Sequence, residues 1–197
     1  MDDALLDTKL KAVRLLAMDV DGVLTSGTIY LGTGATGERL ELKGFDVKDG
    51  LGLGLARAAG LEIAWITGRV SEVVRHRAAE LGVRHVIQWA RNKRRALSDL
   101  TAKLGLTAEQ VLYVGDDLND VPAFEAAGVT ATVADAPSFI RERVDWVTTL
   151  PGGRGAIREV VDRVLAAQGL RDQAVEGFLA RLREEDQTAP GSAPAAQ

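Results

Sequence analysis

The sequence predicts an α/β protein built on a doubly wound, Rossmann-like parallel sheet, and three observations lead there. Short apolar runs bounded by turn residues alternate with longer helical segments, the pattern of strand–helix–strand units. Three of these runs close on small and polar clusters, DVDG, ITGR and VGDD, where an open parallel sheet presents its carboxyl edge. The 197 residues, 46% of them hydrophobic, suffice for one domain with a sizeable core and leave little for a second.

Taken in order, strands are expected over residues 13–19, 61–67, 83–87, 111–116, 129–133 and 146–148. Helices are expected over 50–59, 70–81, 92–104, 120–127, 138–143 and 155–167. Thr107 and Gln110 have the spacing of a capping box on a segment with room for one turn, and Gly105, Gly128 and Gly169 stand where helix C-caps belong. Residues 28–47 break the alternation: two β-like runs flank GTGATG, which reads as a hairpin projecting from the sheet. That turn also fits GxGxxG through Gly32, Gly34 and Gly37, but a dinucleotide site needs a helix directly after it, and ERLELKGFDV alternates like a strand. A last amphipathic helix runs from Leu170 to about Glu185, with Ala174, Phe178 and Leu182 on one stripe beside Val175 and Leu179, either covering the core or meeting a partner subunit. The expected organisation is a domain over 1–169, an appended helix over 170–185 and a disordered tail over 186–197, where polar residues and proline replace large apolar groups.

Composition narrows the chemistry. A formal net charge of -4 with few aromatics offers no nucleic-acid footprint, and the basic cluster at 91–95 is too short to supply one. Cysteine is absent, which removes disulfides, zinc-thiolate sites and thiolate nucleophiles. Two histidines, His76 and His85, are scant material for a histidine-rich metal site or a serine triad. The N-terminus MDDALLDTKLK lacks the layout of a signal peptide, and no apolar run approaches the ~20 residues of a membrane span, so a soluble cytoplasmic protein is expected.

Carboxylates must therefore carry the polar chemistry. Asp19 and Asp21 close the first strand, with Gly22 permitting an immediate turn. A calcium loop starting at Asp19 fails because its twelfth position is Tyr30, where a bidentate Glu is needed. Asp116, Asp117 and Asp120 repeat the arrangement at another strand end. Such carboxylates repel one another unless a cation intervenes, and an oxygen-only ligand set favours a hard ion such as magnesium. Thr67 closes a third strand, where its hydroxyl and the next backbone N–H suit a phosphate oxygen, although an isolated Thr there is usually an ordinary turn residue. Lys93 opens a helix, beside the positive end of the dipole, which hints at an external anion; a solvated surface lysine is the bland alternative.

The order DxDG, Thr, Lys, GDDxxD resembles the haloacid dehalogenase superfamily over roughly residues 13–168. The resemblance implies that Asp19 attacks phosphorus, that Asp21 protonates the leaving oxygen and then activates water, and that Thr67 and Lys93 hold the phosphoryl oxygens. It assigns magnesium to Asp19, the backbone carbonyl of Asp21, and Asp116. Gly68, Asp117, Asn119 and Asp120 support the site, with Asp117 and Asp120 orienting Lys93 or the metal-bound water. Many superfamily members insert a lid; the compact spacings here leave none, so the open site suggests closure by neighbouring subunits, with the hairpin between them.

Within the superfamily, DVDGVLTSGTIYLG, GFDVKDGLGLGLARAAG, ITGRVSEVVRHRAAELGV, Asn92-Lys93, GDDLNDVPAFEAAG and PGGRGAIREV are similar to the 3-deoxy-D-manno-octulosonate 8-phosphate phosphatases, lidless tetramers of lipopolysaccharide synthesis. Related enzymes act on nine-carbon, sialic-acid-type phosphates. That similarity implies a small phosphorylated sugar acid as substrate, contacts from Asp46, Val47, Lys48, Asp49 and Gly50, and anion recognition by Arg69 and Arg77. It also implies that the glycines of GGRG approach the site. Gly54 and Lys48 stand where the family commonly has arginines, Ser26 where Asp is frequent and Trp89 where Gly is; a lysine cannot grip a carboxylate bidentately as arginine does. Two other classes remain to be separated from a phosphatase: a phosphoacceptor receiver module, which also gathers Asp, Thr and Lys on a doubly wound sheet, and a catalytically silent scaffold.

Overall fold

The computed structural model describes residues 2–188. The chain opens with α1 (Asp3–Leu10), enters β1 (Leu15–Met18), projects β2 (Tyr30–Thr33) and β3 (Arg39–Leu42), and returns through α2 (Val47–Ala58). It then alternates through β4 (Glu62–Ile66), α3 (Glu72–Glu80), β5 (His85–Ile87), α4 (Lys93–Lys103), β6 (Val111–Val114), α5 (Val121–Phe124), β7 (Val129–Thr132), α6 (Ser138–Arg141) and β8 (Trp146–Val147), ending in α7 (Ala156–Ala167) and α8 (Arg171–Thr188). Six strands form a parallel sheet in the order β5-β4-β1-β6-β7-β8. Starting at β1, the chain moves outward to β4 and β5, then returns across β1 to β6, β7 and β8, which places the topological switch at the C-terminal end of β1.

The period of two along each strand divides the core. Leu16 and Met18 of β1 face a layer built by Leu6, Leu53, Val74, Ile157 and Ala174 from α1, α2, α3, α7 and α8. Leu15 and Ala17 face the opposite layer, where Leu97, Phe124 and Ile140 from α4, α5 and α6 pack with Tyr113. Burying one such large side chain is worth ~1.5–3 kcal/mol, so the sheet is fixed from both sides. Helix starts are set locally: Asp46 accepts from the Lys48 N–H at 2.7 Å, Ser71 from Val74 at 3.4 Å, and Asn92 from Arg95 at 2.9 Å.

The doubly wound class and the hairpin are as expected, while several boundaries move. The strands stop before the acidic residues, which lie beyond the ladder. Because Asp46 caps α2, that helix begins three residues early. α1 was not anticipated: its acidic and basic residues hide a packing face of only Leu6 and Leu10. Thr107 and Gln110 do form a capping box, on the single 3-10 turn of Ala108–Gln110. Gly105 and Gly169 take positive φ as helix caps, but Gly128 does not. Gly128 is needed for space instead, since a Cβ there would lie 2.5 Å from the Cα of Glu109. α8 rests on the core through Ala174 and Phe178 and extends to Thr188, past the expected end; residues 189–197, expected to be a disordered tail, lie outside the described residues.

β2 and β3 pair antiparallel, with Tyr30 opposite Leu42, and the GTGATG turn closes through the Gly34 N–H donating to the Glu38 carbonyl at 2.8 Å. A strand follows the glycines, so the dinucleotide reading fails. Between β1 and β4 the chain forms only this hairpin and α2, and no lid domain exists among the described residues. No described helix is long and apolar enough to cross a membrane.

Candidate active site

Parallel register aligns three strand ends. Met18 pairs with Trp65 on one side and Val114 on the other, so the residues after β1, β4 and β6 leave the sheet side by side. They deliver Asp19, Asp21, Thr67, Gly68, Arg69, Asp116, Asp117 and Asn119 to one cleft of about 160 Å³. A cavity of about 470 Å³ between α2, β4 and α8 is larger but lacks the converging carboxylates.

Asp19 is buried, with its N–H donating to the Val114 carbonyl at 2.9 Å. Its Oδ2 lies 2.9 Å from Lys93 Nζ, whereas Oδ1 is buried without a hydrogen-bond partner among the described residues. Burial, then the neighbouring Asp120 carboxylate, pushes Asp19 up to about 7 against the pull of Lys93. Asp116 is pushed up to about 8, first by burial and then by Asp19 and Asp120. Lys93 is itself buried; burial alone would lower its ammonium, but Asp19 and Asp120 outweigh that and hold it above its ordinary value. The anion that its position at the start of α4 called for is thus found within the protein.

Asp120 is the fixed point of the site. Its Oδ1 accepts from Lys93 Nζ at 2.6 Å and from the Tyr113 hydroxyl at 2.7 Å, and its Oδ2 accepts from the Asp116 and Asp117 N–H groups at 3.0 and 3.3 Å. Burial, and then Asp120, drives the Tyr113 phenol well above its usual value, which keeps it a donor. Asp120 therefore orients Lys93 as the resemblance implied. Asp117 is exposed at the cleft rim, and its carboxylate caps a 3-10 turn over Leu118–Asp120 by accepting from Leu118 N–H at 2.7 Å.

Oxygens of Asp19, Asp116 and Asp120 lie within 4.8 Å of one another. Those of Asp120 are committed to protein donors, which leaves Asp19, with its unpartnered Oδ1, and Asp116. One buried and one half-buried carboxylate, both with raised proton affinities and offering only oxygen donors, fit a hard divalent cation such as magnesium. Gly22 makes their approach possible: its φ is +99°, and a Cβ there would lie 2.0 Å from Asp116 Oδ2. Gly22→Ala is expected to displace Asp116, costing ~1–3 kcal/mol of stability and shrinking the rise in melting temperature on adding magnesium. Thermal unfolding with and without the ion measures both.

Thr67 is buried at the cleft floor, its hydroxyl accepting from the Arg69 N–H at 3.3 Å. Asp21 is met by two residues the sequence reading passed over, both from the hairpin: Lys43 Nζ donates to Asp21 Oδ1, and Glu41 stands 3.5 Å from Lys43 and 3.7 Å from Arg69. Burial would raise the Glu41 carboxyl, but the Ser71 hydroxyl, Lys43 and Arg69 bring it below the ordinary value. The signal was present in RLELK, whose alternation puts Glu41 and Lys43 on the face opposite Leu40 and Leu42.

Several residues expected to contact substrate make contacts within the protein. Asp49 is buried with its carboxylate on the start of α7, accepting from Arg158 N–H at 2.7 Å and Gly155 N–H at 3.3 Å. Burial raises its proton affinity against those donors. Gly50 gives passage to Arg77, whose Nη2 would lie 2.7 Å from an added Cβ; Arg77 pairs with Glu80 at 2.9 Å and sits over the Phe45 ring rather than in the cleft. Asp46 is spent on capping α2, and Val47 and Lys48 are exposed outside the cleft lining. Gly54 lines the separate cavity beside α8, and a Cβ there would meet open space. The GGRG segment does approach, but as a support: a Cβ on Gly152 would lie 1.8 Å from the Gly22 carbonyl oxygen, and the Gly153 N–H donates to Val23 at 2.9 Å.

Residues 57–157 match the family model of the haloacid dehalogenase-like hydrolases. A 3-deoxy-D-manno-octulosonate 8-phosphate phosphatase of Salmonella typhi is 49% identical over 167 residues, 85% of this chain and 87% of that protein. The crystal structure of such a phosphatase from Moraxella catarrhalis, in complex with magnesium ion, phosphate ion and KDO, superimposes with a TM-score of 0.84 at 41% identity, covering 90% of this chain and 99% of that one. A cobalt-bound deoxy-D-mannose-octulosonate 8-phosphate phosphatase from Haemophilus influenzae gives a TM-score of 0.79 at 42% identity over 87% of this chain and 99% of its own. On the family match, the 49% identity and the shared fold, the chain belongs to the haloacid dehalogenase-like hydrolases, in the family of 3-deoxy-D-manno-octulosonate 8-phosphate phosphatases, and not to the receiver modules.

Proposed function

We propose that the cleft hydrolyses a phosphate monoester with Asp19 as covalent nucleophile, and that the substrate is 3-deoxy-D-manno-octulosonate 8-phosphate. The observation that carries the chemistry is the state of Asp19: buried on the cleft lining, one oxygen held by Lys93 and the other without a partner among the described residues. The carboxylate attacks phosphorus, the ester P–O bond breaks, and the leaving oxygen takes a proton from Asp21. Asp21 then takes a proton from water as that water attacks the phospho-aspartate, releasing phosphate and restoring Asp19. Lys93 and the Thr67 hydroxyl hold the phosphoryl oxygens, and Asp120, locked by Tyr113 and two backbone N–H groups, keeps Lys93 aimed. Asp19, Asp116 and the Asp21 backbone carbonyl would hold magnesium, which would supply charge neutralisation at the phosphoryl group.

Support for the sugar acid comes from the relatives' activity and from Arg69, the cationic side chain lining a cleft that also holds four carboxylates, Asp19, Asp21, Asp116 and Asp117. A panel of eight- and nine-carbon 3-deoxy-ulosonate phosphates, hexose and pentose phosphates and nucleotides is expected to give the highest kcat/KM for the eight-carbon ulosonate phosphate. Equal activity on hexose phosphates would remove the substrate assignment and leave the chemistry standing. The reading takes residues 1–169 as the phosphatase domain with α8 appended, working in the cytoplasm, where a phosphorylated anion is retained. It also takes the enzyme as a homo-oligomer, a tetramer by family likeness. The hairpin supports this, because Tyr30, Leu40 and Leu42 share one face and together expose an apolar surface that a monomer has no use for.

A further inference from the structure

Asp21 and Asp19 are held in the same way by different lysines. Asp19 gives one oxygen to Lys93 and keeps the other buried and unpartnered; Asp21 gives Oδ1 to Lys43 and keeps Oδ2 buried and unpartnered among the described residues. Arg69 Nε stands 3.7 Å from Asp21 Oδ2, beyond hydrogen-bond reach. The Lys43 side chain is fully buried although it comes from the last turn of an otherwise exposed hairpin. Burying an ammonium is costly unless its partners are close and fixed, and here they are Asp21 and Glu41. Glu41 is tied in turn to Arg69 and to Ser71, the cap of α3. The hairpin is thereby latched to the rim of the cleft through one lysine and one glutamate.

From this we infer that Lys43 is a positioning residue for proton transfer: it fixes the Asp21 carboxylate so that Oδ2, and not Oδ1, faces the leaving oxygen of the bound ester. An aspartate on the turn after a strand has free rotation about two side-chain bonds, and proton transfer requires the donor oxygen within hydrogen-bond reach of the ester oxygen. Clamping Oδ1 removes the flipped arrangement. Glu41, 3.5 Å from Lys43, holds the ammonium from the other side, which gives a reason for a carboxylate beside a cleft already crowded with them. The inference rests on Asp21 being the proton donor of the proposed reaction.

A merely structural lysine and a positioning lysine differ in how their loss depends on the leaving group. An alkoxide from a sugar phosphate needs a proton as it departs, whereas p-nitrophenolate does not. Lys43→Met, which keeps the length of the buried stem, is expected to lower kcat/KM for the ulosonate phosphate by about 100-fold and for p-nitrophenyl phosphate by less than about fivefold. Lys43→Arg is expected to restore part of the loss, and Glu41→Gln to show the same selectivity more weakly. Both retain a buried polar side chain and serve if the Met variant does not fold. Equal loss on the two substrates, or a loss confined to KM for the sugar acid, would overturn the inference, the latter by making Lys43 a substrate ligand. Asp21→Asn and Asp19→Asn separate the inference from the reading beneath it. Should Asp21→Asn show no leaving-group dependence, or Asp19→Asn retain turnover, the proposed chemistry fails whatever Lys43 does.

Discussion

Asp19→Asn is expected to reduce phosphate release by at least ~10⁴-fold while leaving the protein as stable as, or more stable than, the parent in the absence of divalent cation. The two halves have a common cause. The amide has no anionic oxygen to bond to phosphorus, so no phospho-enzyme forms. It also removes one of the mutually repelling carboxylates that burial and Asp120 burden, so the cation-free site loses a source of strain. A residue that merely supported the fold would give the opposite pairing, with activity and stability falling together. Initial rates on an aryl phosphate and thermal unfolding in chelator measure the two halves. Turnover within tenfold of the parent would remove Asp19 from the nucleophile's role, and a large drop in melting temperature would show that its charge stabilises the fold.

How much of this site could be read from the sequence follows from the distance over which each residue acts. Asp19, Thr67 and Asp116 were legible because a strand end in a doubly wound sheet has one destination, and three such ends in adjacent strands share it. Lys93 was legible as an anomaly, a cation at the start of a helix. What holds the segment 46–50 was not legible, because a family resemblance does not say which way a helix-start carboxylate turns. Asp49 turns to N–H groups at the start of α7, more than a hundred residues away in the chain. Tyr113 looked like one more apolar strand residue until its hydroxyl proved to close the hydrogen bonding of Asp120. Lys43 and Glu41 belong to a hairpin that reads as an outward projection, and only its fold back on the cleft gives them a role.

Stripping the protein of divalent cation is expected to abolish turnover and to reverse the usual effect of mild alkali on a protein rich in carboxylates. Carboxyls that are paired in the folded state add stability as pH rises from their lowered folded value to the unfolded one, and keep it above. Asp19 and Asp116 do the reverse: at about 7 and about 8 in the folded state they lie far above the ~4 of an unfolded aspartate. Between those limits the folded protein holds more protons than the unfolded one, so the slope of unfolding free energy against pH is negative for this pair. The stability they contribute is present below pH ~4 and is lost as pH rises through ~7 to ~8, a fall on the order of a few kcal/mol given their coupling. Magnesium requires the deprotonated carboxylates, so its stabilising increment is expected to grow from about pH 5.5 to about pH 8. Melting temperatures in chelator and in magnesium across that range test both trends, with Asp116→Asn as the variant in which they flatten. If the chelated protein grows steadily more stable up to pH 8 and magnesium adds the same increment throughout, the two carboxylates are not the pair that the cation neutralises.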